Sequence, residues 1–145
     1  MDSAGNWEHG NSVLHVVLPG DFAAERAKLL AVRNQRIRPH RDDKILTAWN
    51  GLMISALAKS AQVLDEPRYL AAAQKAARHV YRDGKLTRSG KVPAVVDDYA
   101  FFANGLVDLY ETDFDPQWLL KAVELADSML KKFYDPKDGG FYMTG

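Results

Sequence analysis

Two pairs of adjacent aspartates, Asp42-Asp43 and Asp97-Asp98, are the residues of this sequence best suited to acid–base chemistry. Cleaving a glycosidic bond needs two carboxyl groups, one kept protonated as the acid and one ionised as base or nucleophile. They stand about 5 Å apart for retention of configuration and about 6.5–9.5 Å apart for inversion. Neighbouring carboxylates also push one member's pKa upward, as an acid catalyst requires. Each pair precedes an apolar helical segment, where aspartate is equally a favoured cap that accepts backbone N–H bonds and complements the helix dipole. Capping alone is the simpler account; one aspartate capping while its neighbour faces a cleft is the functional one.

Other side chains could bind a substrate without reacting with it. Trp49 and Tyr99 have flat faces that stack on a sugar ring and the same area that fills a core. Core is favoured for Trp49, inside a nearly uncharged segment, while Tyr99 sits beside Asp98 at a helix start. His15 and His40 are of the residue type that serves acid–base chemistry near neutral pH, but neither has a partner visible in the sequence. His9 falls in a leading loop and His79 on an outer helix. Arg36, Arg38 and Arg41 suit bidentate contact with a carboxylated sugar, and also suit a solvated basic turn. No two histidines stand at metal-ligand spacing and there is no cysteine, so neither a metal, a disulfide nor any other cofactor is expected. Asp138-Gly139-Gly140 follows a helix instead of opening one, which argues against a phosphate-cradling loop.

The elements that must position these residues are helical. Asp21 is a good cap for an amphipathic helix reaching about Gln35, and Pro39 marks the break after it. Ile45 to Leu64 carries only Lys59 as a charge and reads as an inner helix covered on most of its circumference. After the turn Asp65-Glu66-Pro67, residues Arg68 to Arg82 keep Tyr69, Leu70, Ala73, Ala76, Ala77 and Val80 on one stripe, an outer helix with one wet face. The link Asp83 to Val96 holds two turn signals, Asp83-Gly84 and Ser89-Gly90, and predicts a hairpin. The pattern then repeats, with Tyr99 to Tyr110 inner and Pro116 to Phe133 outer. Asp42-Asp43 answers Asp97-Asp98, Asn50-Gly51-Leu52 answers Asn104-Gly105-Leu106, and Glu66-Pro67 answers Asp115-Pro116. Such a repeat is the signature of stacked helical hairpins, and the recurring mid-helix glycine predicts close backbone approach between the inner helices. Residues 1–20, with Val13 to Val17 β-branched, predict a loop and a short strand leading into a single domain spanning 1–145.

Composition bounds the function. With 47% hydrophobic and 26% charged residues the chain lies in the range of folded globular proteins. Nineteen basic residues balance nineteen acidic ones, so no large positive field gathers nucleic acid. The longest uncharged stretch, Ile45 to Ala58, falls short of the ~20 apolar residues that span a bilayer. The start Met1 to Asn6 lacks the order of a signal peptide, and the expected location is cytoplasmic.

The run Gly5-Asn6-Trp7-Glu8, then Leu14-His15, then Asp42-Asp43-Lys44-Ile45-Leu46-Thr47-Ala48-Trp49-Asn50-Gly51-Leu52-Met53, and later Asp97-Asp98-Tyr99-Ala100, resembles the YyaL-like, spermatogenesis-associated thioredoxin-domain family. The resemblance implies longer proteins with a thioredoxin-like domain followed by an (α/α)6 toroid similar to six-hairpin glycosidases and sugar 2-epimerases. It makes this chain an all-α fragment of that toroid: two consecutive α/α hairpins plus a leading helix, with short β segments in the loops and no thioredoxin-like domain. In a toroid the two aspartate pairs gather at one end of the ring, with Trp49 and Tyr99 as platforms and Arg38, His40 and His15 nearby as binding residues, histidine being the acid–base group of a similarly folded epimerase. The implied ligand is a saccharide. The alternative is a non-catalytic helical-repeat module that packs against a thioredoxin-like domain or, through its uncapped apolar faces, against itself.

Overall fold

The computed structural model describes residues 5–82 and 84–145. The expectations resting on Met1 to Ala4 and on the Asp83 half of the first turn signal lie outside those residues. The chain divides into two compact units, one ending at Arg41 and one running Asp42–Gly145.

The first unit is a tight loop and one helix. Gly5 has φ +73°, and a Cβ there would lie 2.4 Å from the Asn11 carbonyl oxygen. Asn6 clamps the loop shut: its Nδ2 donates to the Val13 carbonyl at 3.0 Å and its Oδ1 accepts from the Val13 N–H at 2.6 Å. Between these residues lies a 3-10 turn, Glu8–Gly10. The short strand expected at Val13–Val17 is not formed. Among the described residues this stretch has no strand to pair with, so its β-branched residues stay exposed outside any strand. Helix α1, Ala23–Asn34, begins as expected behind Asp21, whose Oδ1 accepts from the Ala23 N–H at 2.9 Å. None of its residues is buried.

The second unit is two helical hairpins joined by a small β-hairpin. Its elements are α2 (Thr47–Leu64), α3 (Pro67–Val80), β1 (Thr87–Ser89), β2 (Val92–Pro93), α4 (Val96–Asp113) and α5 (Pro116–Phe133). The two strands pair antiparallel around the turn that Ser89-Gly90 predicts. Both helical turns use one recipe. A left-handed residue ends the first helix, Asp65 (φ +49°) or Phe114 (φ +57°), one extended residue follows, and proline opens the next helix. Proline suits that position because its missing N–H has no intrahelical partner there. In the second turn Asp115 adds a side-chain cap, accepting from the Gln117 N–H at 3.1 Å.

Helices α2 and α4 run parallel and cross at their glycines. A Cβ on Gly51 would stand 2.5 Å from the Phe101 carbonyl carbon, and one on Gly105 would stand 2.6 Å from the Gly51 carbonyl oxygen. The close approach expected from the two Asn-Gly pairs is therefore present, with Gly105 against the Gly51 carbonyl and Gly51 against the Phe101–Phe102 peptide. The core gathers around this crossing: Ile54 and Ala58 of α2, Ala73 and Ala77 of α3, Phe102, Leu106 and Leu109 of α4, and Trp118, Leu125 and Phe133 of α5. After α5 the chain folds back. The Tyr142 N–H donates to the Phe133 carbonyl at 2.8 Å, and the Met143 carbonyl accepts the Val96 N–H at 3.1 Å, which satisfies a free donor at the start of α4.

Candidate functional site

The aspartate pairs occupy unlike positions. Asp97 and Asp98 lie inside the first turn of α4, whereas Asp42 and Asp43 lie ahead of α2, which starts only at Thr47. The correspondence between the pairs is thus one of composition and not of structure. A one-residue difference in their spacing to the Asn-Gly pairs already separates them.

Asp98 is 1% exposed and spends both carboxylate oxygens on backbone donors. Oδ2 accepts from the Val95 N–H at 2.9 Å, at the start of its own helix, and Oδ1 accepts from the Ala48 N–H at 3.0 Å, at the start of α2. One carboxylate therefore serves the N-terminal ends of two parallel helices. Beside it the Thr47 hydroxyl donates to the Thr87 carbonyl at 2.6 Å, which ties the β-hairpin to the same end of the unit.

The other acids are nearer solvent. Asp42 is exposed, with its carboxylate 3.1 Å from the Lys44 ammonium. Hydrogen bonding to the Lys44 side chain, then to the Lys44 backbone N–H, holds its pKa below the usual carboxylate value. Asp43 is exposed and Asp97 half-buried.

The two aromatic platforms lie in opposite environments, and Trp49, for which the sequence favours the core, is the outer one. Trp49 is 71% exposed, because the covered side of α2 is the one carrying Thr47, Gly51, Ile54 and Ala58. Tyr99 is buried in the core, with its ring 5.4 Å from that of Phe133 and its hydroxyl accepting from the Lys132 ammonium at 2.5 Å. Its edge reaches a cavity of about 380 Å³ that Leu86, Pro93 and Ala94 also line.

His15, Arg38 and His40 all belong to the first unit. His15 lines an apolar cavity of about 650 Å³ with Leu14, Val16, Phe22 and Leu29. Arg38 hydrogen-bonds the Asn34 side chain and shares a second cavity, of about 520 Å³, with His40 and Arg41.

Two polar clusters escaped sequence reasoning. Asp108, 7% exposed, accepts from the Ser55 hydroxyl, from Asn104 Nδ2 at 3.2 Å and from the Lys59 ammonium at 3.2 Å. One turn on, Gln62 Nε2 donates to the Thr112 hydroxyl at 2.8 Å. The spacings Ser55, Lys59, Gln62 and Asn104, Asn104+4 (Asp108), Thr112 place these groups along facing sides of two helices, a sign readable only once the helices are paired. Asp113, at the end of α4, accepts from Gln74 Nε2 at 2.8 Å and from Trp118 Nε1 at 3.0 Å, and so joins α3, α4 and α5. Among the described residues no three histidine or acidic side chains converge as metal ligands, and no helix is long and apolar enough to cross a membrane.

No family model matches the chain. It is similar to spermatogenesis-associated protein 20 of Homo sapiens, 36% identical over 136 residues, covering 81% of this chain and 17% of that protein. The Mus musculus protein of the same name is 35% identical with the same coverage. An uncharacterized protein of Caenorhabditis elegans is 37% identical over 129 residues, covering 77% of this chain and 17% of its own length. The chain thus spans about a sixth of the length of the curated relatives it matches.

Proposed function

The chain has a family relationship with spermatogenesis-associated protein 20, as a relative of one segment of that longer protein, and on that premise we propose that it is a helical-hairpin stacking module whose α2 face packs against a further hairpin. The observation that carries this reading is an exposed apolar stripe on α2. Trp49, Leu52, Met53 and Val63 are each at least half exposed and, with Ala56, recur at helical spacing on the side away from the core. The α2–α4 crossing supplies the template, since one inner helix already lies along another through small residues and apolar side chains. A further hairpin on the free side would extend the stack toward an α/α toroid. In the longer relatives that hairpin would come from the same chain; between copies of the 145-residue chain a second copy would supply it.

Burial of Trp49 tests the reading. In a Trp7→Phe variant, Trp49 and the core residue Trp118 are the remaining indoles. Acrylamide should quench Trp49 readily in dilute protein and progressively less as concentration rises. Quenching that does not change with concentration would reject the packing claim.

A saccharide-binding role keeps one specific observation, the exposed indole of Trp49, which is free to stack on a sugar ring. The more exposed acids in that reading are Asp42, Asp43 and Asp97, whereas Asp98 is buried at two helix ends. A glycan titration that shifts Trp49 emission, and fails in Trp49→Ala, would support it.

A further inference from the structure

In a chain whose charges balance, one cavity of the second unit is lined by cations and, among the described residues, by no carboxylate. It measures about 710 Å³ and lies between the segment entering α2 and the later turns of α3. Lys75, Arg78, His79 and Arg82 reach it from the α3 side, at spacings that put them on one stripe, and Lys44 reaches it from the opposite wall. Ile45, Ala72 and Ala76 supply an apolar lining.

Arg78, His79, Arg82 and Lys44 each have a partner that positions them. The Arg78 guanidinium lies 5.3 Å from the centre of the buried Trp118 ring. Arg82 Nη2 stands 2.6 Å from His79 Nδ1 and donates to it, which leaves the N–H on Nε2 as a further donor. Lys44 is tethered by Asp42, outside the lining. The α3 dipole, worth about half an elementary charge at its C-terminus, accounts for basic residues in the last turn. It does not account for Lys75, a turn earlier, or for Lys44, on another element, both lining the same space.

We propose that this cleft binds a phosphate ester, the phosphoryl oxygens on Lys75, Arg82 and Lys44 and the organic part against Ile45, Ala72 and Ala76. Arginine's fork and lysine's point charge are the groups that recognise phosphoryl oxygens. The volume falls in the range of small-molecule sites, about 300–1,000 Å³, and exceeds the needs of a bare phosphate ion. A nucleic acid would call for an extended basic surface, which the balanced charge of this chain does not provide.

Calorimetric titration of the chain with phenyl phosphate, inorganic phosphate and phenol tests the assignment. Phenyl phosphate should bind more tightly than inorganic phosphate, and phenol should not bind. Lys75→Gln and Arg82→Gln should each weaken phenyl phosphate about tenfold through loss of a charge-assisted hydrogen bond, while Lys131→Gln on α5 changes nothing. Lys75 and Arg82 are exposed, so both variants should keep the wild-type circular dichroism and melting curve. Absence of phenyl phosphate binding to the wild type, or unchanged binding in both variants, would overturn the proposal. Equal affinity for inorganic and phenyl phosphate would overturn the ester in favour of a bare anion.

Discussion

At Asp98 a single buried carboxylate completes two helix starts, so its loss acts on both. Asp98→Ala leaves the Val95 and Ala48 N–H groups without an acceptor and should cost about 2–4 kcal/mol, read as a lowered urea midpoint. A stability loss well under 1 kcal/mol would mean that water replaces the carboxylate freely and that it is not the joint described here. Gly105→Ala tests the helix crossing in the same way. Its new methyl would meet the Gly51 carbonyl oxygen at 2.6 Å, and backbone cannot swing aside as a flexible side chain can. A destabilisation of about 1–3 kcal/mol is expected, where an ordinary mid-helix glycine would gain stability from alanine. The sequence singled out both residues, and it weighed Asp98 as a helix cap against an acid facing a cleft. What it could not show was the second acceptor role toward Ala48, which exists only once α2 and α4 are side by side.

Helix by helix, the elements followed their local signals wherever those signals were chemical. Pro67 and Pro116 open α3 and α5, and Asp21 leads into α1. Periodicity predicts a covered stripe on α5 of Trp118, Leu119, Ala122, Leu125, Ala126, Met129 and Phe133; Trp118, Ala122, Leu125 and Phe133 are buried, while Leu119 is 37% exposed. It failed on α2 because Lys59 is the only charge there and apolar residues fall on every side, so the pattern does not say which side faces the core; Trp49 was expected inside and is outside. Val13–Val17 failed for a related reason, since β propensity needs a partner strand. At the C-terminal turn the chemistry again decides. The Tyr142 hydroxyl donates to Asp135 at 2.6 Å and holds that carboxyl below its ordinary pKa of 3.8, while the same bond raises the Tyr142 pKa. A depressed carboxyl stabilises the turn at pH above 3.8 and ceases to do so as pH falls through the lowered value. Amide exchange at Tyr142 and Val96 should therefore accelerate in that acid window. Tyr142→Phe should move the acceleration to higher pH, and an unchanged profile would show that the bond does not govern the turn.

Seen whole, the second unit is a two-hairpin stack with one end open. Its interior is closed by a glycine crossing and by polar ties at Asp98, Asp108 and Asp113, yet α2 turns Trp49, Leu52, Met53 and Val63 to solvent. An apolar helical stripe of this kind ordinarily lies against another element. The relatives, of which this chain matches about a sixth, have ample further chain to cover it. Solution mass by light scattering across a range of concentrations, on the wild type and on a Leu52→Asp, Met53→Asp variant, is the most direct measurement. Both substituted positions are exposed, so the variant should fold as the wild type does. The stacking account predicts that the wild type grows in mass with concentration and that the variant stays monomeric. A wild type that remains monomeric throughout, or a variant that associates equally well, would contradict it.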